Sequence, residues 1–201
     1  SGKSRLLQAL VKRGAQVLDL EALAQHKGSV LGELPEQPQP TQKMFESRLR
    51  RALAALDPAS EAFVEAESRK IGTLQLPDAL IAAMRASPCA RIEASREARI
   101  RFLLNDYDHF VTDPERLRDR LECLRALHSA ERLAGWQRRV DRAEWPALVG
   151  ELLEQHYDPL YHRSQGGNYA LHGSASRHHA DELTPEALDR LAGEILSATQ
   201  V

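Results

Sequence analysis

The chain has little of what staples a small fold covalently. Its two cysteines, Cys89 and Cys123, stand far apart with no C-x-x-C pair, which excludes a disulfide framework and a zinc knuckle. No apolar run approaches the roughly 18 residues of a membrane span, and no signal peptide is visible, so no membrane partner is expected and cytoplasm is the default compartment. Lysine is scarce as well: arginine outnumbers it 22 to 5, and none follows Lys70. Arginine's planar fork grips phosphate well, but genomic base composition produces the same bias, so the imbalance assigns nothing alone. Internal repeats and low-complexity tails are missing.

What is present fits a globular protein with an ample core, at 42% hydrophobic and 28% charged residues. A length of 201 residues suits one medium domain, or a core carrying a subdomain, and a monomer is expected. The net charge of −2 speaks against a uniformly basic nucleic-acid binder but leaves room for a local basic stripe.

Hydrophobic spacing then orders the elements. "RLLQALVKRG" puts Leu6, Leu7, Leu10 and Val11 on one helical face, with Gly14 as the stop. "AQVLDL" reads as a buried strand, residues 33–41 as a proline-rich loop, and "QKMFESRLRRALAALDP" as a helix stopped by Asp57-Pro58. "EAFVEAES" is a second strand, "LPDALIAAMRASP" a helix and "ARIEAS" a third strand. This alternation is α/β with a mostly parallel sheet, strands falling near 16–20, 62–67 and 90–94. It stops near residue 105, where helical periodicity takes over to about 164. "GGNYALHG" is a candidate last strand, and "TPEALDRLAGEIL" a closing helix with Thr184 as N-cap and Pro185 first in the helix. The expected division is an α/β core at 1–104, a helical insertion at 105–164, and a strand and helix completing the core at 165–201.

The first four residues, Ser1-Gly2-Lys3-Ser4, match the closing half of a Walker A loop, G-x-x-x-x-G-K-[ST]. Such a loop must run straight into a helix whose N-terminus helps bind phosphate oxygens, and an amphipathic helix starts at Arg5. The expected fold is therefore P-loop NTPase-like, with the strand that feeds the loop not among these 201 residues. A break in the sheet should mark its place. Lys3 would contact a terminal phosphate and Ser4 a Mg²⁺ ion. Glu65 and Glu67 end an apolar strand where a Walker B acid would lie, and their i, i+2 spacing puts both on one face.

Four blocks carry a more specific likeness: "DLEALAQHKGSVLG", "QPTQKMFES", "VEAESRKIG" and "HYDPLYHRS", in that order. Together they resemble the P-loop domain of the bacterial tRNA 2-selenouridine synthases over nearly the whole chain. Departures from that pattern are Ala22 for glycine, Lys27 for arginine and Ala66 for an acid. The resemblance implies an enzyme that geranylates the sulfur of wobble 2-thiouridine in tRNA from geranyl diphosphate. It then exchanges the S-geranyl group for selenium from selenophosphate. Members carry an upstream rhodanese-like domain with a cysteine, and neither Cys89 nor Cys123 looks like its active-site loop.

On this resemblance the phosphate cradle, Ser1 to Ser4, would hold a diphosphate, with Mg²⁺ on Ser4 and Glu65 or Glu67. His26, Lys27, Gly28 and Ser29 follow a strand end, where α/β ligands bind, and Arg69 is a candidate phosphate clamp. Asp19 and Glu21 either orient Lys27 or Arg69, serve as acid or base, or form a structural ion pair. For tRNA the candidates are Gln42, Lys43, Glu46, Arg50 and Arg51 on the second helix, Arg96, Arg99 and Arg101 after the third strand, and Tyr157, Asp158 and Tyr161. For the last two groups a solvated face and core packing, respectively, are equally open. His178 and His179 read as loop residues, and no apolar pocket for a geranyl chain is visible. Phe45, Phe63, Met84 and Phe102 read as core. Two other functions share the scaffold: a small-molecule kinase using ATP, and a non-catalytic RNA-binding module.

Overall fold

In the computed structural model the described residues are 2–35, 37–161, 169 and 172–199. Helix α1 (Lys3–Lys12) buries Leu6, Leu7 and Leu10, the spaced apolar residues. It ends where Gly14 takes a φ of 87° and the Ala15 N–H returns to the Leu10 carbonyl, a turn that needs a residue tolerant of positive φ. Strand β1 (Gln16–Leu18) follows and pairs in parallel with β2 (Ala62–Val64), Gln16 opposite Ala62 and Leu18 opposite Val64. Between them lie α2 (Leu20–Ala24) and α3 (Gln42–Ala54), the latter capped by Thr41 and burying Phe45 and Leu49.

A hairpin not foreseen from sequence comes next, β3 (Lys70–Ile71) against β4 (Leu74–Gln75). Helix α4 (Asp78–Ala86) leads to β5 (Ala90–Ala94). Strand β5 pairs in parallel with β6 (Ser176–Ala180), Ala90 opposite Ser176 and Ala94 opposite Ala180. His178 and His179 thus sit on a strand, not in a loop. Their polarity misleads because β6 exposes most of its side chains and buries only Ala180. The candidate strand at 166–173 falls largely outside the described residues.

The architecture is mixed α/β with parallel pairing, as expected. The two parallel pairs are not hydrogen-bonded to each other, so the sheet is broken between them. Both nevertheless pack on one apolar cluster: Val17, Phe63, Ile92 and Ala94 meet Leu6 and Leu10 of α1 and Leu188 and Ile195 of α10 (Pro185–Thr199).

After β5 the chain is helical: α5 (Arg96–Asp106), α6 (Asp108–Thr112), α7 (Pro114–Glu122), α8 (Ala130–Asp141) and α9 (Trp145–Leu152). Caps set the breaks, since Ser95, Asp113 and Ser129 each accept a backbone N–H at the start of α5, α7 and α8. The insertion has its own core, in which Phe110, Leu121, Trp136, Leu148 and Leu152 are joined by Leu31 from the first half of the chain. A single π turn, Leu153–Tyr157, extends α9 and buries His156 to 2% exposure. No helix among the described residues is long and apolar enough to cross a membrane.

The His156 Nδ1 lies 2.9 Å from His128 Nε2. Burial, and then the charge of His128, bring the His156 pKa down to about 4, against about 6.5 in an unfolded chain. In that window the unfolded chain binds a proton that the folded one refuses, so stability is lost as pH falls from about 6.5 toward 4. Urea unfolding at intervals across this range should show the decline, with His156→Gln flattening it by at most about 1.4 kcal/mol per pH unit. Identical pH slopes in both proteins would mean that His156 is not the titrating group.

Candidate functional site

The start of α1 is the first part of the candidate site. Gly2 adopts a left-handed φ of 81°, which sends the chain into the helix, and the first helical bond runs from the Leu6 N–H to the Gly2 carbonyl. Space does not demand the glycine there, since an added Cβ would touch only Leu183 at 3.5 Å. Among the described residues no side chain caps α1, and its first turn carries no acid. The N–H groups of that turn are therefore open to an anion, and the helix dipole favours one.

Acids surround this helix start. Strand β2 ends at Val64 because Glu65 leaves the ladder: its Oε1 accepts the Glu21 N–H at 2.8 Å. Its Oε2 is buried without a hydrogen-bond partner among the described residues. Burial pushes the Glu65 pKa up to about 8, against the pull of two backbone N–H groups. Glu67 is ion-paired to Lys3 at 3.0 Å, and Ser4 donates to Glu21. Burial raises Glu21 above the ordinary carboxylate range, and the Glu67 charge adds to it. Burial works against the Lys3 charge, but Glu67 and Glu21 outweigh it and hold the ammonium firmly protonated. Gly28, at φ 69°, passes between the two acids; a Cβ there would come within 2.7 Å of Glu21 and 2.8 Å of Glu67. Here glycine is required by both conformation and space.

Gly28 belongs to a tight turn. The Lys27 N–H bonds the Gly32 carbonyl at 2.7 Å, and the Gly28 N–H bonds His26 Nδ1 at 3.1 Å. His26 is buried, and burial with the nearby Arg120 lowers its pKa, so a neutral ring shapes the turn. Lys27 reaches the far end of α5, where it pairs with Asp106 at 2.6 Å and lies 4.3 Å above the Tyr107 ring. Arg5 meets the same Asp106 at 3.3 Å. Asp106 and Tyr107 gave no signal in the sequence.

A cavity of about 1850 Å³ joins these parts. Its wall includes Gly2, Lys3, Ser4, Asp19, Glu21, His26, Lys27, Gly28, Ser29, Glu65 and Glu67, so the expected cradle, turn and strand-end acids are brought together. Asp19 caps α2 through the Ala22 N–H, and Tyr169 donates to the Glu67 carbonyl at 3.3 Å. Ser1 lies outside the described residues.

Other expected residues stand elsewhere or are engaged. Arg69 is exposed, bonded to Asp78, and outside the cavity wall. Gln42 bonds Glu46 and both backbone groups of Gln75, which docks α3 on the hairpin. Lys43, Arg50, Arg51 and Arg101 are exposed. Arg96 pairs with Glu154, and Arg99 holds Asp158 through two bonds of 2.5 and 3.0 Å. Tyr157 lies in the cavity wall with its pKa raised by burial to about 12, and Tyr161 is 47% exposed at the mouth. Met84, Phe63 and Phe102 also reach the wall, whereas Phe45 is wholly buried.

Comparison with known proteins fits this geometry. A protein named tRNA 2-selenouridine synthase from Cupriavidus pinatubonensis is 34% identical over 174 residues, covering 72% of this chain and 47% of its own length. One of the same name from a Shewanella species (strain MR-7) is 30% identical over 225 residues, covering 96% of this chain and 58% of its own. A third, from Bdellovibrio bacteriovorus, is 38% identical over 111 residues, or 53% of this chain and 28% of its own. The chain thus spans between 28% and 58% of the length of these relatives. No solved structure gives a significant match. The family profile of the tRNA 2-selenouridine synthase AAA domain matches residues 1–118, and the chain belongs to that family.

Proposed function

We propose that this chain is the P-loop part of an enzyme that converts 2-thiouridine to 2-selenouridine in tRNA by way of an S-geranyl intermediate, and that the cavity's polar end holds the diphosphate of geranyl diphosphate. The carrying observation is the uncapped start of α1, with Gly2 and Lys3 facing the cavity. In the reaction the thiouridine sulfur bonds to C1 of the geranyl group while the C–O bond breaks and diphosphate leaves with the electron pair. Charge then builds on the diphosphate oxygens. Open N–H groups at a helix start, with one lysine, stabilise such charge without moving. The selenium of selenophosphate next bonds to C2 of the base as the C2–S bond breaks and geranyl thiolate leaves, and water cleaves the Se–P bond to release phosphate; a rhodanese-like domain is part of this reading of the whole enzyme. A P-loop sheet is part of this reading, because one strand laid between β2 and β5 would join the two parallel pairs.

The resting site is already acidic, so a diphosphate must displace Glu67 from Lys3 or meet it with extra positive charge. Mg²⁺ suits this need, being held by one or two carboxylates together with phosphate oxygens and water. Ser4 with Glu21 or Glu67 offers that set, and the ion would neutralise phosphate charge. Glu65 fits less well, since its neutral carboxyl is already turned to the Glu21 N–H. Among the described residues no group of three acids, histidines or cysteines could hold a metal unaided.

Lys3→Ala in the protein that carries this chain should reduce geranyl transfer to thiolated tRNA at least tenfold. One charge-assisted contact is worth about 1.5–3 kcal/mol, and each 1.36 kcal/mol is about a factor of ten. The change also strands the buried Glu67 carboxylate, so Lys3→Ala with Glu67→Gln should restore the melting temperature but not the activity. Nucleoside mass spectrometry without ATP reads the transfer; strict dependence on ATP would make this a nucleotide site.

Transfer RNA must be met by a local basic stripe, for which exposed Arg50 and Arg51 on α3 are the leading candidates. Reversing both charges should weaken binding and reduce the salt slope of log K by about 0.9 at most per phosphate contact. Unchanged affinity and slope in a filter-binding titration would remove this face.

A further inference from the structure

Five lysine and arginine side chains stand in the cavity wall among the described residues: Lys3, Arg5, Lys27, Arg91 and Arg99. Each is paired with an acid, Lys3 with Glu67, Arg91 with Glu93 and Arg99 with Asp158. Asp106 alone holds two of the five, Arg5 at 3.3 Å and Lys27 at 2.6 Å. It is the last residue of α5, and its side chain is 16% exposed.

Donor accounting separates these cations. An ammonium carries three N–H groups, and those of Lys27 are all engaged. One bonds the Asp106 carboxylate, another the Asp106 main-chain carbonyl, and the Tyr107 ring lies 4.3 Å away. That carbonyl stands at the C-terminal end of α5, where unpaired carbonyls and the helix dipole favour a cation. Lys3, by contrast, makes one hydrogen bond among the described residues, to Glu67. An anion can therefore reach Lys3 far more cheaply than Lys27. Arg5 is the rival. Its guanidinium has five donors, its side chain is 58% exposed, and its bond among the described residues is the long one to Asp106. It directly follows Ser4 in the first turn of α1, so an anion at the helix start meets two cations there.

We infer that Asp106 is a positioning residue: by holding Arg5 and Lys27 to itself, it confines a phosphate or diphosphate anion to Lys3. This rests on the proposed reading of the start of α1 as the diphosphate site. Two cations and one carboxylate leave a net charge of +1 at the end of α5, and without the carboxylate it becomes +2. That surplus would draw the anion toward the insertion, away from Ser4 and Glu21. Such a pull reaches over about 10 Å at 0.1 M salt.

Calorimetric titration of the full-length protein with inorganic diphosphate and Mg²⁺ tests this. Asp106→Asn keeps the shape and removes the charge; it should bind diphosphate at least about threefold tighter at low salt, with the gain fading as salt rises. Adding Lys27→Gln should return the affinity to within about twofold of wild type, because the surplus charge is gone. In geranyl transfer, Asp106→Asn should lower kcat and the KM for geranyl diphosphate together, since an anion on the wrong cations occupies the site without reacting. A carboxylate that only held the fold together would do the opposite on removal, weakening diphosphate binding and raising KM. Unchanged or weaker binding by Asp106→Asn thus overturns the inference while the site at Lys3 stands. Arg5→Gln, at an exposed side chain, does not depend on the junction surviving and should cost at most about threefold in diphosphate affinity. A loss of about tenfold or more, the worth of a direct charge-assisted contact, would make Arg5 a ligand and overturn the inference as well. If the wild-type protein binds no diphosphate, the site at Lys3 and the role of Asp106 fall together.

Discussion

Lys3 and Glu67 join the start of α1 to the segment that leaves β2, across 64 positions of sequence. Neither would be stable there alone: a carboxylate 7% exposed needs a cation, and burial works against the ammonium unless Glu67 and Glu21 stand beside it. The pair therefore fixes the distance between the helix start and the strand end, and the other groups arrange themselves around it. Ser4 falls on Glu21, Glu21 offers its N–H to Glu65, and Gly28 is the residue thin enough to pass between Glu21 and Glu67. A pair of this kind is poor evidence of stability as such, because desolvation offsets much of the attraction. Its geometry suits exchange, in which an arriving anion takes the lysine and releases the acid.

Local chemistry made much of the fold legible. The 3.6-residue spacing of Leu6, Leu7 and Leu10, the Thr41 cap and Asp57-Pro58 mark helices that lie where expected, and β5 covers the expected residues in full. The strands β1 and β2 are shorter than their apolar runs suggest. Asp19 leaves the ladder to cap α2, and Glu65 leaves it to accept the Glu21 N–H. The hairpin at Lys70–Gln75 escaped because each arm has two residues, too few for alternation to show. Strand β6 escaped because its polar letters are chosen by solvent on its exposed side, and its partner β5 is remote in the chain.

That Lys3 and Ser4 lie beside the strand-end acids was legible for a different reason: the P-loop pattern sets residues at fixed spacing beside fixed elements. What could not be read is who partners whom. Lys27 looked like a ligand for phosphate, yet Asp106, 79 positions away, holds it on the Tyr107 ring. Arg99 looked like a contact for RNA, and Asp158 holds it in a two-pronged bond. Such pairings form only when the insertion folds back on the core, so no window of sequence contains both members. The family departures find simple places. Ala22 lies inside α2, where its N–H meets the Asp19 cap, and Ala66 packs partly buried against the core between its two acids.

The turn from Lys27 to Gly32 works as a hasp. Its ends are closed by one short hydrogen bond, its second residue is wedged between two carboxylates, and its Leu31 is driven into a core that belongs to another part of the chain. Nothing can pull Gly28 aside without dragging a leucine out of packed hydrocarbon, and nothing can loosen that hydrocarbon without slackening the grip beside Lys3. Six residues thus tie the acid cluster beside Lys3 to the packed core of the insertion. Were a ligand beside Lys3 to steady this turn, the reciprocity of linked equilibria would require the insertion core, once tightened, to favour that ligand in equal measure.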